Sequence, residues 1–346
     1  MTTFLILLTA MMAIFPLCGE DLRDLTHLKQ DFVLETKRIK LPEFPDAFNP
    51  SIVRWQGNLL MSFRTYDPET HSTDLIGFVW LDDNFNPIST PTLLVREDEL
   101  TAEISEAKDP RLLVVGHDLL MIYSNLYPFD TPISRMMVGK VEILDDGSFK
   151  ISSPSSLIQY DGEIPQRKEK NWVPFAYHNM LVLAYSIQPH RLLIPLPGSD
   201  RCISLASSIG TIKWEWGNLM GGTPAIRVDD FYLSFFHTNK AMASVQSHGQ
   251  VMNHYFMGAY TFEGQYPFAV TGISHHPIVA KTFYEGPMYT TWKPLRVIFP
   301  SGLIVEGNDI WVSYGRQDHE MWVVKFDKAK LLASLKPVTT LYPYLP

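Results

Sequence analysis

Polar and charged side chains flank several of the most apolar runs in this 346-residue chain. Three runs are preceded by Asn49, by Asp109 and by the pair Lys170 and Asn171. Other runs are followed by polar residues, namely Arg64, Gln188, His190, His237 and Asp318. Such groups beside apolar runs cost free energy unless they face solvent or pair with one another. An acid, several cations and side-chain amides sharing one site would suit a hydroxyl-rich ligand together with an anion.

These residues belong to a sequence unit that occurs five times. Each copy has a polar or tight start, a proline, an apolar run, a turn and a second apolar run ending in aromatic residues. The copies are FNPSIVRWQGNLLMSF from Phe48, DPRLLVVGHDLLMIY from Asp109, NWVPFAYHNMLVLAY from Asn171, GTPAIRVDDFYLSFF from Gly222 and FPSGLIVEGNDIWVSY from Phe299. Because one such unit cannot bury both its faces alone, the repeat indicates radial repetition. The sequence therefore predicts an all-β fold, a five-bladed β-propeller.

In a propeller the inner strand of every blade runs along the central channel, so equivalent positions meet at one end of the axis. The repeat therefore predicts a single site that collects polar residues from different blades. A simpler interpretation is that Asn49 and Asp109 only cap turns ahead of their prolines, which both residue types do well. The recurrence of polar residues at equivalent points favours the functional interpretation.

The rest of the sequence fits four-stranded blades. Short β-like stretches fill the gaps between copies, namely GFVWLDD, MMVGKVEIL, CISLASS, YFMGAYTFE and MWVVKFD. Ring closure usually needs a blade built from both chain ends, so MWVVKFD is expected to pair with the chain near Val33 to Leu41. Helical periodicity is confined to about Leu22 to Leu34 and to the tail AKLLASL. No linker interrupts the repeat, which predicts one domain over residues 20–346.

Composition narrows the class of partner. The chain carries 29 Lys and Arg against 37 Asp and Glu, and the net charge of −8 argues against nucleic acid or an anionic membrane surface as a partner.

The apolar run from Phe4 to Leu17 predicts a signal peptide over residues 1–19 and an exported protein, with an uncleaved membrane anchor as the alternative. After cleavage Cys202 has no partner for an intramolecular disulfide, and its setting indicates a buried small hydrophobe.

The order of short phrases in the chain resembles glycoside hydrolase family 130, the inverting mannoside phosphorylases and related hydrolases. In the C-terminal half the matching phrases are GGTPAI, FFH, YFMGAYTFE, SHHPIVAKTFYEG, VIFPSG and SYGRQD. In the N-terminal half they are FNPS, KDPR and EKNWVPF. The resemblance covers roughly Phe48 to Asp327 and implies the same five-bladed propeller.

The resemblance also implies roles for individual residues. The KDPR phrase makes Asp109 the catalytic general acid, and the neighbouring phrases give sugar or phosphate contacts to Asn49, Arg64, Lys170, Asn171, His237 and Asp318. His190 and Arg191 are imperfect substitutes for a phosphate-gripping arginine. Lys108 replaces the family's usual Glu, and a cation there would lower the pKa of Asp109 if it points inward.

Two classes of function follow. The first is a glycan-active enzyme directed at β-mannosides, with inorganic phosphate, water or another sugar as the acceptor. Phosphate would need a cluster of cations, whereas an inverting hydrolase would need a second carboxylate. The second is a noncatalytic carbohydrate-binding propeller, and a protein-interaction scaffold is a further possibility. No cofactor is implied, and the adjacent His275 and His276 would point to opposite faces of a strand, which disfavours a metal site.

Overall fold

The computed structural model describes residues 22–28, 30–66, 74–94, 107–126, 134–152, 156–160, 168–196, 198–199, 201–289 and 295–341. The proposed signal peptide lies outside these residues. Within them, mainly antiparallel sheets stand in a ring and form five blades, which confirms the predicted propeller. No helix of the described part of the chain is long and apolar enough to cross a membrane.

The strands follow the repeat blade by blade. A closing strand, β1 (Val33–Ile39), comes first. Blade 1 contains β2 (Phe48–Trp55), β3 (Asn58–Tyr66), β4 (Asp74–Leu81) and β5 (Thr92–Leu93). Blade 2 contains β6 (Ala107–Val115), β7 (Asp118–Leu126), β8 (Ser134–Ile143), β9 (Phe149–Ile151) and β10 (Ser156–Tyr160). Blade 3 contains β11 (Val173–Tyr177), β12 (Met180–Ile187), β13 (His190–Pro195) and β14 (Arg201–Gly210).

The second half of the ring is built in the same way. Blade 4 contains β15 (Met220–Gly221), β16 (Ile226–Val228), β17 (Phe231–Met242), β18 (Met252–Glu263), β19 (Val270–Ile273) and β20 (Leu295–Arg296). Blade 5 contains β21 (Ile298–Glu306), β22 (Asp309–Arg316) and β23 (Glu320–Asp327). The chain then forms α1 (Lys328–Ser334), β24 (Lys336–Pro337) and β25 (Thr340–Leu341).

Blade 5 is completed by the N-terminal strand, which confirms the predicted closure. β1 pairs antiparallel with β23, from Val33 opposite Phe326 to Ile39 opposite Met321. The C-terminal tail strengthens the ring elsewhere, because β24 pairs with β19 of blade 4 and β25 pairs with β14 of blade 3. The first strand and the tail up to Leu341 are therefore held by sheets.

The two helix expectations have different outcomes. The tail AKLLASL falls within α1, which begins after Asp327, whose side chain accepts a hydrogen bond from the Lys330 backbone N–H. The helix expected over Leu22 to Leu34 is wrong, because the described residues of this stretch form a 3₁₀ turn at Leu25–Leu28 and then enter β1 at Val33. Leu25 and Phe32 are buried in the core of blades 4 and 5, so the apolar spacing reflects packing of an irregular segment.

The inner strands are joined around the axis by small hydroxyl residues. Ser51 Oγ accepts a hydrogen bond from the Leu112 backbone N–H at 3.0 Å, which links blade 1 to blade 2. Ser301 Oγ donates to the Pro50 carbonyl at 2.7 Å, which links blade 5 to blade 1. These bonds hold the starts of neighbouring inner strands together, and the polar residues of the repeat are at those starts.

Candidate functional site

Strand direction brings the predicted residues to one end of the propeller. In each blade the inner strand starts, and its antiparallel partner ends, at the same end of the sheet. Asn49, Asp109 and Asn171 therefore stand at the starts of inner strands, while Arg64 and Asp318 stand at or just beyond the ends of second strands. Among the described residues, these five therefore lie at the same end of the blades.

Local backbone irregularity aims two of these side chains. The ladders of blades 1 and 2 shift register between Phe48 and Ser51 and between Lys108 and Arg111. Within these bulges Asn49 has φ 47° and Asp109 has φ 54°, a left-handed conformation that Asn and Asp tolerate better than most residues. Each residue precedes a proline, as the turn-capping interpretation required, but its side chain also contacts the other across the axis.

Asp109 is the centre of a hydrogen-bonded group from two blades. Asn49 Nδ2 donates to Asp109 Oδ1 at 2.9 Å, and Arg64 Nη1 donates to the same oxygen at 3.1 Å. The Arg64 guanidinium also lies over the Phe48 ring, 4.7 Å from its centroid. The Asp109 side chain retains only 15% of its exposure, so this ion pair is largely shielded from water.

Arg111 is a functional candidate that sequence reasoning missed. Its side chain is 1% exposed and reaches across the axis from blade 2. Nη1 donates to the Asp109 carbonyl at 3.2 Å, Nη2 donates to Asn171 Oδ1 at 3.3 Å, and Nε donates to the Gly222 carbonyl. The sequence signal that could have identified it is the DPR phrase itself. Arg111 follows the bulge at a position that small residues occupy in blades 1 and 5.

The charges around Asp109 act in opposite directions on its pKa. Burial alone would raise the pKa of this carboxyl, but Arg64, Arg111, the Asn49 hydrogen bond and Lys170 together lower it below the usual 3.8. The expectation named Lys108 as the cation that would lower this pKa, whereas the cations that lower it are Arg64, Arg111 and Lys170. The carboxyl group is therefore ionised at neutral pH in the unliganded site.

His237 and Asp318 reach the same region from blades 4 and 5. His237 is 1% exposed, and burial together with the Arg111 charge lowers its pKa to about 3, so the imidazole is neutral. The ring lies 4.5 Å from Phe299 and 6.1 Å from Tyr255, measured between centroids. Burial and the charges of Asp318 and Asp109 raise the pKa of Tyr255. The charges of Asp318 and Asp109 therefore both act on the Tyr255 phenol.

The remaining predicted residues differ in position. Lys170 is exposed, and its charge acts on both Asp109 and His237. His190 and Arg191 begin β13, the third strand from the axis in blade 3. His190 is buried, its Nδ1 lies 2.9 Å from the Phe268 carbonyl, and its ring packs on Phe262. No contact found among the described residues joins His190 to Asp109.

Several other sequence observations have a structural outcome. Cys202 is fully buried in an apolar cluster, as its sequence setting indicated. His275 and His276 are exposed. Across the described ranges no three or more His, Cys, Asp or Glu side chains are grouped so that they could hold a metal ion.

Comparisons with known proteins show which solved structures share this fold. Neither a scan against protein-family models nor a search of curated proteins finds a match. Solved structures do match. One is a glycosyl hydrolase from Bacteroides ovatus, at 16% identity and TM-score 0.59 over 86% of this chain and 87% of that chain.

Two further solved structures come from mannoside-active proteins. One represents the GH130 family of mannoside phosphorylases, described as containing hydrolases that target β-1,2 mannosidic linkages, at 13% identity and TM-score 0.58 over 82% and 85% of the two chains. The other is a β-1,2-mannobiose phosphorylase from Listeria innocua, at 14% identity and TM-score 0.55 over 86% and 92%. This chain therefore shares the five-bladed fold of glycoside hydrolases and mannoside phosphorylases, including proteins of the family that its motifs resemble.

Proposed function

We propose that this protein is a glycan-active enzyme that cleaves β-mannosides, with Asp109 as the general acid. The observation that carries the proposal is that Asn49 and Arg64 both donate a hydrogen bond to Asp109 Oδ1. Asn49 is 60 residues and Arg64 is 45 residues from Asp109 in the sequence. His237 and Asp318 reach the same end of the axis from two other blades. A carboxyl group surrounded by amide, cationic and imidazole groups is suited to hold sugar hydroxyls and to donate a proton.

In the proposed reaction the Asp109 proton moves to the glycosidic oxygen as the bond from that oxygen to the anomeric carbon breaks. An oxygen of the acceptor forms the new bond to the anomeric carbon from the opposite face, which inverts its configuration. The carboxylate left on Asp109 is stabilised by Asn49 and Arg64. Asn171 and Asp318 are assigned to the sugar hydroxyls.

The acceptor is either phosphate or water. Phosphate attacks without a protein base, and Arg64 and Lys170 are the cations of the proposed site that would face it. His190 and Arg191 lie two strands further out than the inner strand β11, so a role in holding phosphate would require them to act from the rim. Water needs a second carboxylate as base, and Asp318 is the candidate among the residues assigned to the site.

The test is an assay of β-mannosyl disaccharides with and without inorganic phosphate. Release of mannose 1-phosphate identifies a phosphorylase, and release of mannose in both reactions identifies a hydrolase. Asp109→Asn should reduce turnover by about 10²- to 10⁴-fold because the proton donor is lost. Asp118→Asn, at an exposed ion pair with Lys140, is the matched control. Full activity of Asp109→Asn would contradict the assignment.

A second candidate is a noncatalytic carbohydrate-binding propeller. The observation that favours it is the lowered pKa of Asp109, because an ionised carboxylate is a hydrogen-bond acceptor and not a proton donor. This candidate predicts calorimetric binding of manno-oligosaccharides with no turnover of any mannoside. It is excluded if purified protein releases mannose or mannose 1-phosphate and Asp109→Asn does not.

The proposed cellular location is outside the cytoplasm, with residues 1–19 removed as a signal peptide and no partner other than a glycan. N-terminal sequencing of the protein purified from its native host tests this. An N-terminus near Glu20 supports the proposal, and an intact apolar segment from Phe4 to Leu17 supports the membrane-anchored alternative.

A further inference from the structure

Arg111 carries a buried positive charge that the proposed reaction does not use. Its side chain is among the largest of the fully buried ones in the described chain. Burial lowers the pKa of this guanidinium to about 10, and the group is still charged at neutral pH. Removing such a charge from water costs several kcal/mol unless hydrogen bonds replace the lost hydration. Its contacts should therefore explain why it is there.

The contacts of Arg111 join four blades. From blade 2 it donates to the carbonyls of Gly221 and Gly222 at the start of blade 4 and to the Asn171 side chain at the start of blade 3. Its guanidinium lies 5.8 Å from the centroid of Phe299 in blade 5. It also holds the carbonyl of Asp109. Two residues of the proposed site, Asp109 and Asn171, are thus held by one side chain.

The repeat provides an internal comparison for this position. Directly after the equivalent bulge, blade 1 has Ser51 and blade 5 has Gly302, each opposite a serine of the second strand, whereas blade 2 has Arg111 opposite Ile122. A Cβ atom on Gly302 would lie 2.3 Å from the Ile52 nitrogen, so the axis is too tight for a side chain there. The propeller fold therefore needs no large residue at this position. The blade that has one, blade 2, is also the blade that supplies Asp109.

The left-handed conformations of Asp109 and Asn171, with φ 54° and 63°, explain why a fixed support is useful. Such conformations cost free energy for residues other than glycine and persist where the surroundings hold them. Arg111 contacts the backbone of the first residue and the side-chain oxygen of the second. Both side chains are then presented from the rigid inner end of the propeller.

We propose that Arg111 is a positioning residue that holds the Asp109 backbone and the Asn171 side chain in the glycan site and places a fixed positive charge beside Asp109. The identity of the ligand as a glycan rests on the proposed function. The placement of Asp109 and Asn171 and the charge of Arg111 do not depend on it. Arg111 is assigned no contact with the reacting atoms, because the donors described above are directed at protein oxygens.

The experiment compares Arg111→Gln and Arg111→Lys in the full chain. The Asp109 carboxyl is followed by ¹³C NMR with [γ-¹³C]aspartate labelling, and its resonance is identified as the one missing from Asp109→Asn. Spectra are recorded down to the lowest pH at which near-UV circular dichroism shows a folded protein. Arg54→Gln, which removes an arginine paired with Asp83 and Glu306 at the surface, is the matched control.

Arg111→Gln is expected to begin protonating Asp109 at a higher pH than the wild type, because a nearby cation has been removed. Arg111→Lys keeps the charge and should titrate like the wild type, but it loses the forked contacts, so kcat/KM on the active mannoside should fall by roughly tenfold or more. Arg54→Gln should match the wild type in both measurements.

The proposal is overturned if the Asp109 resonance of folded Arg111→Gln coincides with that of the wild type at every pH. It is also overturned if neither variant folds, since Arg111 would then be a structural residue only. The titration requires no turnover. A failure of the proposed enzymatic function therefore leaves this measurement intact and is distinguished from a failure of the positioning role.

Discussion

Asp109 is held ionised by neighbours whose charges outweigh the effect of its burial. A general acid must carry a proton, and a carboxyl with a pKa below 3.8 carries one in fewer than about one molecule in a thousand at pH 7. The proposed catalytic form is therefore a minor species of the free protein at neutral pH, and its population is set by Arg64, Arg111 and Asn49.

We expect kcat/KM of the wild-type protein to rise as the pH falls from 8 to about 5. The protonated fraction of Asp109 increases about tenfold for each pH unit in this range, because the pKa lies below it. Initial rates on the active mannoside at low substrate concentration measure the effect. A rate that is constant or falls over this range, in protein shown to be folded at each pH, would rule out Asp109 as the acid of the free enzyme.

Gly315 provides a steric test of the Asn49 contact. A Cβ atom at this position would lie 1.9 Å from Asn49 Oδ1, so Gly315→Ala should displace the amide from Asp109 without removing any polar group. We expect kcat/KM to fall by about tenfold or more, with an overpacking cost of about 1–3 kcal/mol in unfolding free energy.

Gly272→Ala is the control for this substitution, because its Cβ would meet the Thr261 hydroxyl at 2.9 Å in the outer part of blade 4. It should retain wild-type kcat/KM. If Gly315→Ala and Gly272→Ala were equally active, Asn49 would have no part in the site.

At the scale of the strands, the site depends on bonds between inner strands of neighbouring blades. Ser51 is fully buried, and its Oγ is the acceptor for the Leu112 backbone N–H. Pro50 receives hydrogen bonds from both Ser301 and Ser313 of blade 5. These serines fix the distance between the strand starts that carry Asn49 and Asp109, so packing of the blades and geometry of the site are coupled.

Ser51→Ala should lower the free energy of unfolding by about 1–3 kcal/mol, because it leaves the buried Leu112 N–H without an acceptor. Urea denaturation followed by tryptophan fluorescence measures this change. Ser334→Ala, which removes an exposed hydroxyl bonded to the Leu331 carbonyl, is the control and should change stability by less than about 0.5 kcal/mol. Equal effects of the two substitutions would show that the Ser51 bond does not stabilise the ring.

For the molecule as a whole, buried neutral histidines make stability depend on pH. Burial lowers the pKa of His254 and His319, and it lowers the pKa of His190 and His237 further. Burial lowers the pKa of His190 to about 4 and that of His237 to about 3, from the ordinary value of 6.5. Between these values the unfolded chain binds protons that the folded protein does not. Stability therefore falls as the pH drops below about 6.5, and it continues to fall until the folded-state pKa is reached.

Between pH 7 and pH 5 we expect the free energy of unfolding to decrease by roughly 2 kcal/mol for each of His190 and His237. His190→Phe should remove the His190 share of this dependence, roughly 2 kcal/mol, since an aromatic ring can occupy the same contacts with Phe262 and Phe268. Urea denaturation at both pH values measures it. His27→Gln, at an exposed position, is the matched control, and an unchanged slope in His190→Phe would contradict the assignment.

The sequence by itself determined the architecture and part of the site. The five copies of the strand–turn–strand unit, each with its proline, predict the blade number. The need to close a ring with both chain ends predicts that MWVVKFD pairs with the chain near Val33, as β1 and β23 do. Asn49 and Asp109 could be assigned to one end of the axis because an equivalent position in a repeat has an equivalent place in the ring.

Tertiary structure alone decided which other polar residues face that site. His237 directly follows Phe236, and His190 follows a short turn after Ile187. The charge of Asp109 acts on His237, whereas His190 packs against Phe268 of the next blade. Arg111 follows a proline in an apolar run and nevertheless crosses the axis. In a strand that is buried on both faces, local sequence does not distinguish the face toward the axis from the face toward a neighbouring blade. A bulge of one residue then exchanges the two faces, and only the packed ring shows which face each side chain occupies.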